Sequence, residues 1–195
     1  MFTGIIESIG KIASLEKNGD DIGLSIEYDN KKLSNLEIGE SISVDGICLT
    51  LVEFDNKTLL FDVSNESLKK IKPFQAGDNV NLESSLKFNG KISGHFVFGH
   101  IDGLARIIEI EQRDGCQIWR MKTPQSLMKY IAKKGSISIN GVSLTVNDIS
   151  KDIFSINLVP FTLINTAFKF NKINDSLNIE VDMLARYVET ILTGN

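Results

Sequence analysis

Apolar and polar residues alternate with period two in several short runs. Ser41-Ile42-Ser43-Val44-Asp45, Asn79-Val80-Asn81-Leu82-Glu83 and Ser136-Ile137-Ser138-Ile139-Asn140 each send every second side chain to one face, as a half-buried β-strand does. Residues 59–63 and 154–159 are apolar, β-rich runs that also read as strands. Asp45-Gly46, Asn140-Gly141 and Asn89-Gly90 punctuate these runs, and such dipeptides suit tight turns. Strands this short and dense predict a small barrel or sandwich. Helical patterning is scarcer. Residues 124–134 open on Pro124 and stop at Gly135, and residues 31–38 stop at Gly39. Residues 183–193 place Leu184, Tyr187, Val188, Ile191 and Leu192 on one helical face, and Gly194 follows.

The pattern occurs twice. SISVDGICLT at 41–50 and SISINGVSLT at 136–145 are identical at six of ten positions, with an offset of 95. The offset persists: Gly4 pairs with Gly99, Ile6 with Ile101, Ile12 with Ile107, Glu16 with Glu111 and Leu68 with Leu163. Towards each end it grows to 97, so that GDNVNLE at 77–83 matches NDSLNIE at 174–180. A repeat of this kind means two copies of one structural unit. The boundary is expected in NGKISGH, near Gly90 to His95, giving units 1–95 and 96–182 and a tail 183–195 outside the repeat.

Composition narrows the function. The 195 residues suffice for two barrels with working cores. A net charge of -4 without a basic cluster disfavours nucleic acid and anionic membranes as partners. No apolar run approaches the ~18 residues of a membrane span. The start, MFTGIIESIG, lacks the features of a signal peptide, so a cytoplasmic protein with reduced Cys48 and Cys116 is expected. His95 and His100 are the only histidines, and their spacing makes no usual metal site. No dinucleotide or P-loop glycine motif occurs. Trp119 reads as core.

MFTGI at the start, VDGICLT, SGHFVFGHIDG, INGVSLTV and NIEVDMLARYVE run in order through the chain. Together they resemble the riboflavin synthase α chains over the whole length. The resemblance implies two six-stranded Greek-key barrels in tandem, an all-β fold, followed by a trimerisation helix. It also implies a homotrimer, with lumazine synthase as a candidate further partner. The implied reaction consumes two molecules of 6,7-dimethyl-8-ribityllumazine. One donates a four-carbon unit to the other, giving riboflavin and 5-amino-6-(ribitylamino)uracil, with no metal or other cofactor. Identical substrates suit a repeated fold, because two related pockets can each hold one and supply proximity. In the family the N-terminal unit of one subunit faces the C-terminal unit of the next.

The family's site residues carry over by motif. The first pocket is expected from Gly4, Ile5 and Ile6, then Cys48, Leu49 and Thr50, then Asp62, Val63, Ser64, Asn65, Glu66 and Ser67. The second is expected from Gly99, His100 and Ile101, then Lys134, then Ser143, Leu144 and Thr145. It continues through Val159, Pro160, Phe161, Thr162, Leu163 and Ile164. Phe2 and Thr3 are expected to cover the reacting pair. Ser143 with Asp182 resembles the hydroxyl–carboxylate pair that serves the acceptor, and His100, Thr145, Ser41, Cys48 and Ser67 are further polar candidates. Which pocket takes donor or acceptor stays open.

Each residue also has a plainer role. Cys48 suits a small buried thiol, Asp182 suits a helix N-cap, and His95 reads as structural. Among rival functions, a non-catalytic lumazine or flavin antenna shares the fold but typically lacks the histidine of the GHI segment. An oligonucleotide-binding barrel wants a basic, aromatic groove, and a flavin oxidoreductase wants a nicotinamide domain. The fold decides between none of these; the site residues do.

Overall fold

The computed structural model describes residues 1–194. Six strands make the first barrel: β1 (Ser8–Asn18), β2 (Asp21–Glu27), β3 (Ser41–Val44), β4 (Ile47–Phe54), β5 (Thr58–Val63) and β6 (Asn79–Ser84). They close in the order β1-β2-β5-β4-β3-β6, with antiparallel neighbours throughout. The second barrel repeats this with β7 (Gly103–Arg113), β8 (Cys116–Lys122), β9 (Ser136–Ile139), β10 (Val142–Ser150), β11 (Ile153–Leu158) and β12 (Ser176–Val181). Its order, β7-β8-β11-β10-β9-β12, is the same Greek key.

The alternation seen in sequence is what fills each barrel. Along β5, Leu59, Phe61 and Val63 point inward, and Phe154, Ile156 and Leu158 do so along β11. Register shifts fall between Ile12 and Ser14 and between Leu51 and Glu53, and recur between Ile107 and Glu109 and between Val146 and Asp148. An extra residue bends and coils a strand locally, which a small closed barrel requires. Trp119 is in the second core, its indole N–H donating to Gln117 Oε1 at 2.9 Å.

The helices differ from the sequence expectation except at the C-terminus. Residues 31–38 form turns, because Asn35 takes a left-handed φ of 59° and the Asp29 carboxylate accepts the Lys31 N–H. Leu33 is inserted into the first core, and Leu36 packs against its edge. In 124–134 only Gln125–Tyr130 coils, as a 3₁₀ segment, and Leu127, Met128 and Ile131 seal the second core. Two short helices occupy matching places that the periodicity missed: α1 (Asn65–Leu68) after β5 and α2 (Pro160–Asn165) after β11. Four to six residues are too few to display a 3.6-residue repeat. α3 spans Met183–Thr193 as expected, capped by the Asp182 side chain on Leu184 N–H and by Gly194 at φ 69°.

The two barrels meet through the β3–β4 and β9–β10 turns, where Gly46 abuts Gly141. Buried asparagines clamp this junction. Asn81 N–H donates to Asp45 Oδ1 and its side-chain amide donates to Asn140 O; Asn178 N–H donates to Asn140 Oδ1 and its amide to Asp45 O, all within 2.7–2.9 Å. Asn81 Oδ1 accepts from Ala167 N–H and Asn178 Oδ1 from Lys72 N–H, so both amides are satisfied. Such a closed network fixes one docking geometry, since any shift would strand buried polar atoms.

Asp45 is the one acidic member of that clamp, and burial pushes its carboxyl up to about 7 against the opposing pull of the Asn81 N–H. The folded state therefore holds this proton more firmly than the unfolded chain. Between about pH 4 and pH 7 its contribution to stability falls as pH rises. The second repeat has the neutral solution, Asn140, in the same place. Asp45→Asn is expected to raise the unfolding free energy above pH 7 by on the order of a few kcal/mol and to flatten the pH dependence below it. Chemical denaturation at pH 5 and pH 8 checks this; a variant less stable than the parent at pH 8 contradicts it.

Candidate functional site

The opening peptide of each barrel crosses to the other barrel. Gly4 O accepts the Ser143 N–H at 2.8 Å, and Gly99 O accepts the Cys48 N–H at 3.0 Å. Phe2 and Val97 exchange backbone hydrogen bonds where the two peptides pass. Ile6 packs against the second core, while Ile101 belongs to the first. Gly4 and Gly99 both have left-handed φ values, 76° and 80°, and a Cβ on either would stand 2.5 Å from the Cβ of Ser143 or Cys48. Only glycine allows so close an approach.

This exchange corrects the expected grouping. Gly99, His100 and Ile101 line the pocket of Cys48, together with Glu66 and Ser67 and with three residues the sequence reading missed, Ile47, Lys70 and Ile71. The cavity measures about 290 Å³ and opens to solvent. Gly4 correspondingly belongs with Ser143. The repeat offset could not reveal this, because it relates positions within a barrel and says nothing about which barrel a peptide rests on.

Cys48 is half-buried beneath Gly99, and its flanking residue Leu49 points into the core. Ser64 caps α1 by accepting the Ser67 N–H, and the Ser64 and Ser67 hydroxyls lie 3.2 Å apart at the pocket edge. Asn65 N–H is held by Asp21. Val63 is core, whereas Asp62 faces a separate groove with Ser14, Glu16 and Ser25. Ser41 pairs with Thr50 across β3 and β4. Phe2 is fully buried and Thr3 nearly so, and the Thr3 hydroxyl is engaged by Glu83.

On the second barrel, Ser143 Oγ lies 2.7 Å from Nδ1 of His95, the histidine that reads as structural in sequence. Burial holds the His95 imidazole below its usual range, opposed by the charge of Asp182. A neutral imidazole has one bare ring nitrogen, which on Nδ1 would accept the serine proton. Asp182 is engaged in capping α3 through Leu184 N–H and reaches this pair only through its charge on the imidazole. Gly94, beside His95, could take no side chain, since a Cβ would lie 2.1 Å from Thr3 O and 2.6 Å from Ser143 Cβ. Leu144 and Leu163 pack on the second core. Lys134 and Thr145 are exposed, as are Val159, Pro160, Phe161 and Ile164 around α2, with Thr162 half-buried. His100 is exposed at the rim of the Cys48 pocket.

Two buried carboxylates hold the crossing peptides. Glu83 accepts from Thr3 N–H, Thr3 Oγ1 and Gly4 N–H at 2.8–3.1 Å. Glu180 accepts from the N–H groups of Phe98, Gly99 and His100 at 2.7–3.1 Å. Burial raises both carboxyls to about 7, against the pull of these donors. Among the described residues no three His, Cys, Asp or Glu side chains converge where they could hold a metal ion.

The Lumazine binding domain family matches the chain twice, at residues 3–85 and 98–182. A riboflavin synthase of Bacillus subtilis is 40% identical over 194 residues, which cover 98% of this chain and 90% of that protein. One from Photobacterium phosphoreum is 38% identical over 195 residues, covering 98% and 89%. Among solved structures, LumP complexed with riboflavin superposes with a TM-score of 0.86 at 28% identity, covering 93% of this chain and 100% of that one. LumP complexed with 6,7-dimethyl-8-(1'-D-ribityl) lumazine gives 0.84 at 27% identity, covering 93% and 99%.

Proposed function

The chain belongs to the lumazine-binding domain family, within its riboflavin synthases, and from that membership we propose how its two pockets share one reaction. It is an enzyme that converts two 6,7-dimethyl-8-ribityllumazine molecules into riboflavin and 5-amino-6-(ribitylamino)uracil by transfer of a four-carbon unit. The transferred carbons leave one lumazine and complete the third ring of the other, so the pair of substrates balances the pair of products. The observation that carries the division of labour is the unlike chemistry at matched positions. Cys48 and Ser143 occupy the same place in the two repeats, but the hydroxyl meets a neutral imidazole at 2.7 Å.

Ser143 with His95 and Asp182 is assigned to proton handling and nucleophile activation on one lumazine. The reacting ring spreads its own charge, so a modest base in a dry setting is sufficient. The Cys48 pocket, with Ser67 and the rim residue His100, is assigned to the other lumazine. At about 290 Å³ this cavity lies at the small end of the ligand-pocket range, which supports one ring system per barrel and a second substrate laid over its open side. Thr3, Ser41 and Thr145 are assigned supporting polar roles, and Phe2 a packing role beneath the site.

The second reading, an antenna that binds lumazine without turnover, draws on the LumP neighbours, but their 27–28% identity falls below the 38–40% of the synthases.

A homotrimer is the assembly we assign, with α3 as its seam. Leu184, Tyr187, Val188, Ile191 and Leu192 are 55–79% exposed in the single chain, while Glu189 fastens the opposite face to Lys129 and Tyr130 and Arg186 pairs with Asp102. Burying each such apolar side chain is worth up to ~1.5–3 kcal/mol. In that trimer the N-terminal pocket of one subunit would meet the C-terminal pocket of the next. A cytoplasmic location is assigned, and a lumazine synthase is retained as a further partner. No described helix is long and apolar enough to cross a membrane.

Incubation with the lumazine alone, in chelator, is expected to yield riboflavin with two substrates consumed per product; a co-purifying fluorescent ligand that is never turned over would favour the antenna.

Ser143→Ala and His95→Gln are each expected to lower kcat by about a hundredfold, with the double variant little worse because the pair acts as a unit. His95→Gln should also remove an acid limb from the pH profile of kcat/KM lying below the usual histidine range. Losses that multiply, or that appear only in KM, contradict the assignment.

Val188→Glu with Ile191→Glu is expected to give folded monomers by sedimentation, with turnover lost. A variant that remains trimeric places the seam elsewhere.

A further inference from the structure

The Cys48 pocket has a wall that belongs to the other barrel, Ser143 is likewise covered by a peptide of the other barrel, and both coverings are irregular backbone. Residues 98–100 have no strand partner of their own barrel along this stretch. Irregular backbone at a barrel junction holds its shape only where its N–H groups find fixed acceptors. The acceptor here is Glu180 on β12 of the second barrel, which takes all three N–H groups of Phe98, Gly99 and His100. The carbonyl of the middle residue, Gly99, then receives the Cys48 N–H of the first barrel. Glu83 on β6 repeats the device: it takes Thr3 and Gly4 N–H groups, and Gly4 O receives the Ser143 N–H.

We propose that Glu180 and Glu83 are crossed positioning residues: Glu180 of the second barrel sets the wall of the Cys48 pocket, and Glu83 of the first sets the peptide that rests on Ser143. Neither side chain lines the cavity at Cys48. Each acts through three aligned donors that a single-oxygen side chain cannot satisfy. Glutamine in either place keeps the volume but turns an N–H₂ toward an N–H, leaving a donor unpaired in a buried setting. The consequence is local and appears in the other barrel, which a general packing defect would not produce. The proposal rests on Cys48 and Ser143 marking the lumazine sites only for its effect on turnover; the geometry itself can be tested without any lumazine.

The test uses the full chain carrying Glu180→Gln or Glu83→Gln, alkylated by iodoacetamide without ligand, with Cys48 and Cys116 followed separately by peptide mass. Glu180→Gln is expected to speed Cys48 alkylation by about tenfold or more, because the Gly99 wall no longer lies on the thiol. Cys116, at the β7–β8 turn, should be unchanged, and Glu83→Gln should leave Cys48 at the parent rate. In turnover assays both variants should lose activity. Equal acceleration in the two variants, or none in Glu180→Gln, overturns the crossed assignment. Should Glu180→Gln not fold, amide exchange on the parent chain decides. The N–H groups of Phe98, Gly99 and His100 are expected to be protected at least about a hundredfold over those of residues 91–93. Exchange at the rate of an open loop would show that Glu180 does not hold them. If alkylation and exchange behave as expected while the lumazine is not converted, the wall assignment stands and the assigned reaction fails.

Discussion

Two carboxylates buried at the junction of the barrels, Glu83 and Glu180, each gather backbone N–H groups from a peptide with no sheet of its own along that stretch. The rest of the site depends on this constraint. An N–H left unpaired at such a depth costs more than a typical hydrogen bond contributes, so the peptides at 3–4 and 98–100 are fixed where the carboxylates are fixed. Their carbonyls then dock on Ser143 and Cys48, and only glycine at positions 4 and 99 lets the backbones come close enough. The Cys48 pocket, the crossing peptides and the barrel walls form one connected structure.

The asparagine clamp gives that connection its precision of docking. Asn81 and Asn178 spend every side-chain hydrogen-bonding atom across the junction, while their backbone N–H groups donate to Asp45 and Asn140 of their own barrels. A hydrophobic contact alone would tolerate sliding, because it is non-directional. The polar clamp does not. Within this near-symmetric frame the two repeats differ at a few matched positions. Asp45 is opposite Asn140 and Cys48 opposite Ser143, and the position aligned with Asp182 is Ser85. A symmetric scaffold with unlike side chains suits a reaction in which two identical molecules play unlike parts.

Much of this was legible in the residues. Period-two runs located strands, and the Asp45-Gly46 and Asn140-Gly141 pairs marked two-residue hairpin turns, which are observed between Val44 and Ile47 and between Ile139 and Val142. The repeat identified two like units, and the tail's helical face, its Asp182 cap and its Gly194 stop are all present. These features are local: each depends on side-chain spacing along a single strand, turn or helix, which the order of residues states directly. The short helices α1 and α2 fell below the length at which a helical period can be seen. The expected helix at 31–38 failed because one buried leucine and a left-handed asparagine outweighed its weak pattern.

Tertiary structure alone decided the grouping of the site. Nothing in the order of residues states that Gly99 rests on Cys48 or Gly4 on Ser143, since those contacts join segments about fifty and one hundred and forty positions apart across two barrels. The same holds for His95, whose imidazole meets Ser143 through the fold and not through any motif. Sequence determined the strands, the repeat and the terminal helix, because those follow from local periodicity and residue identity. Which groups share a pocket was settled only when buried N–H groups had to find acceptors and the crossing peptides were drawn onto the opposite barrel.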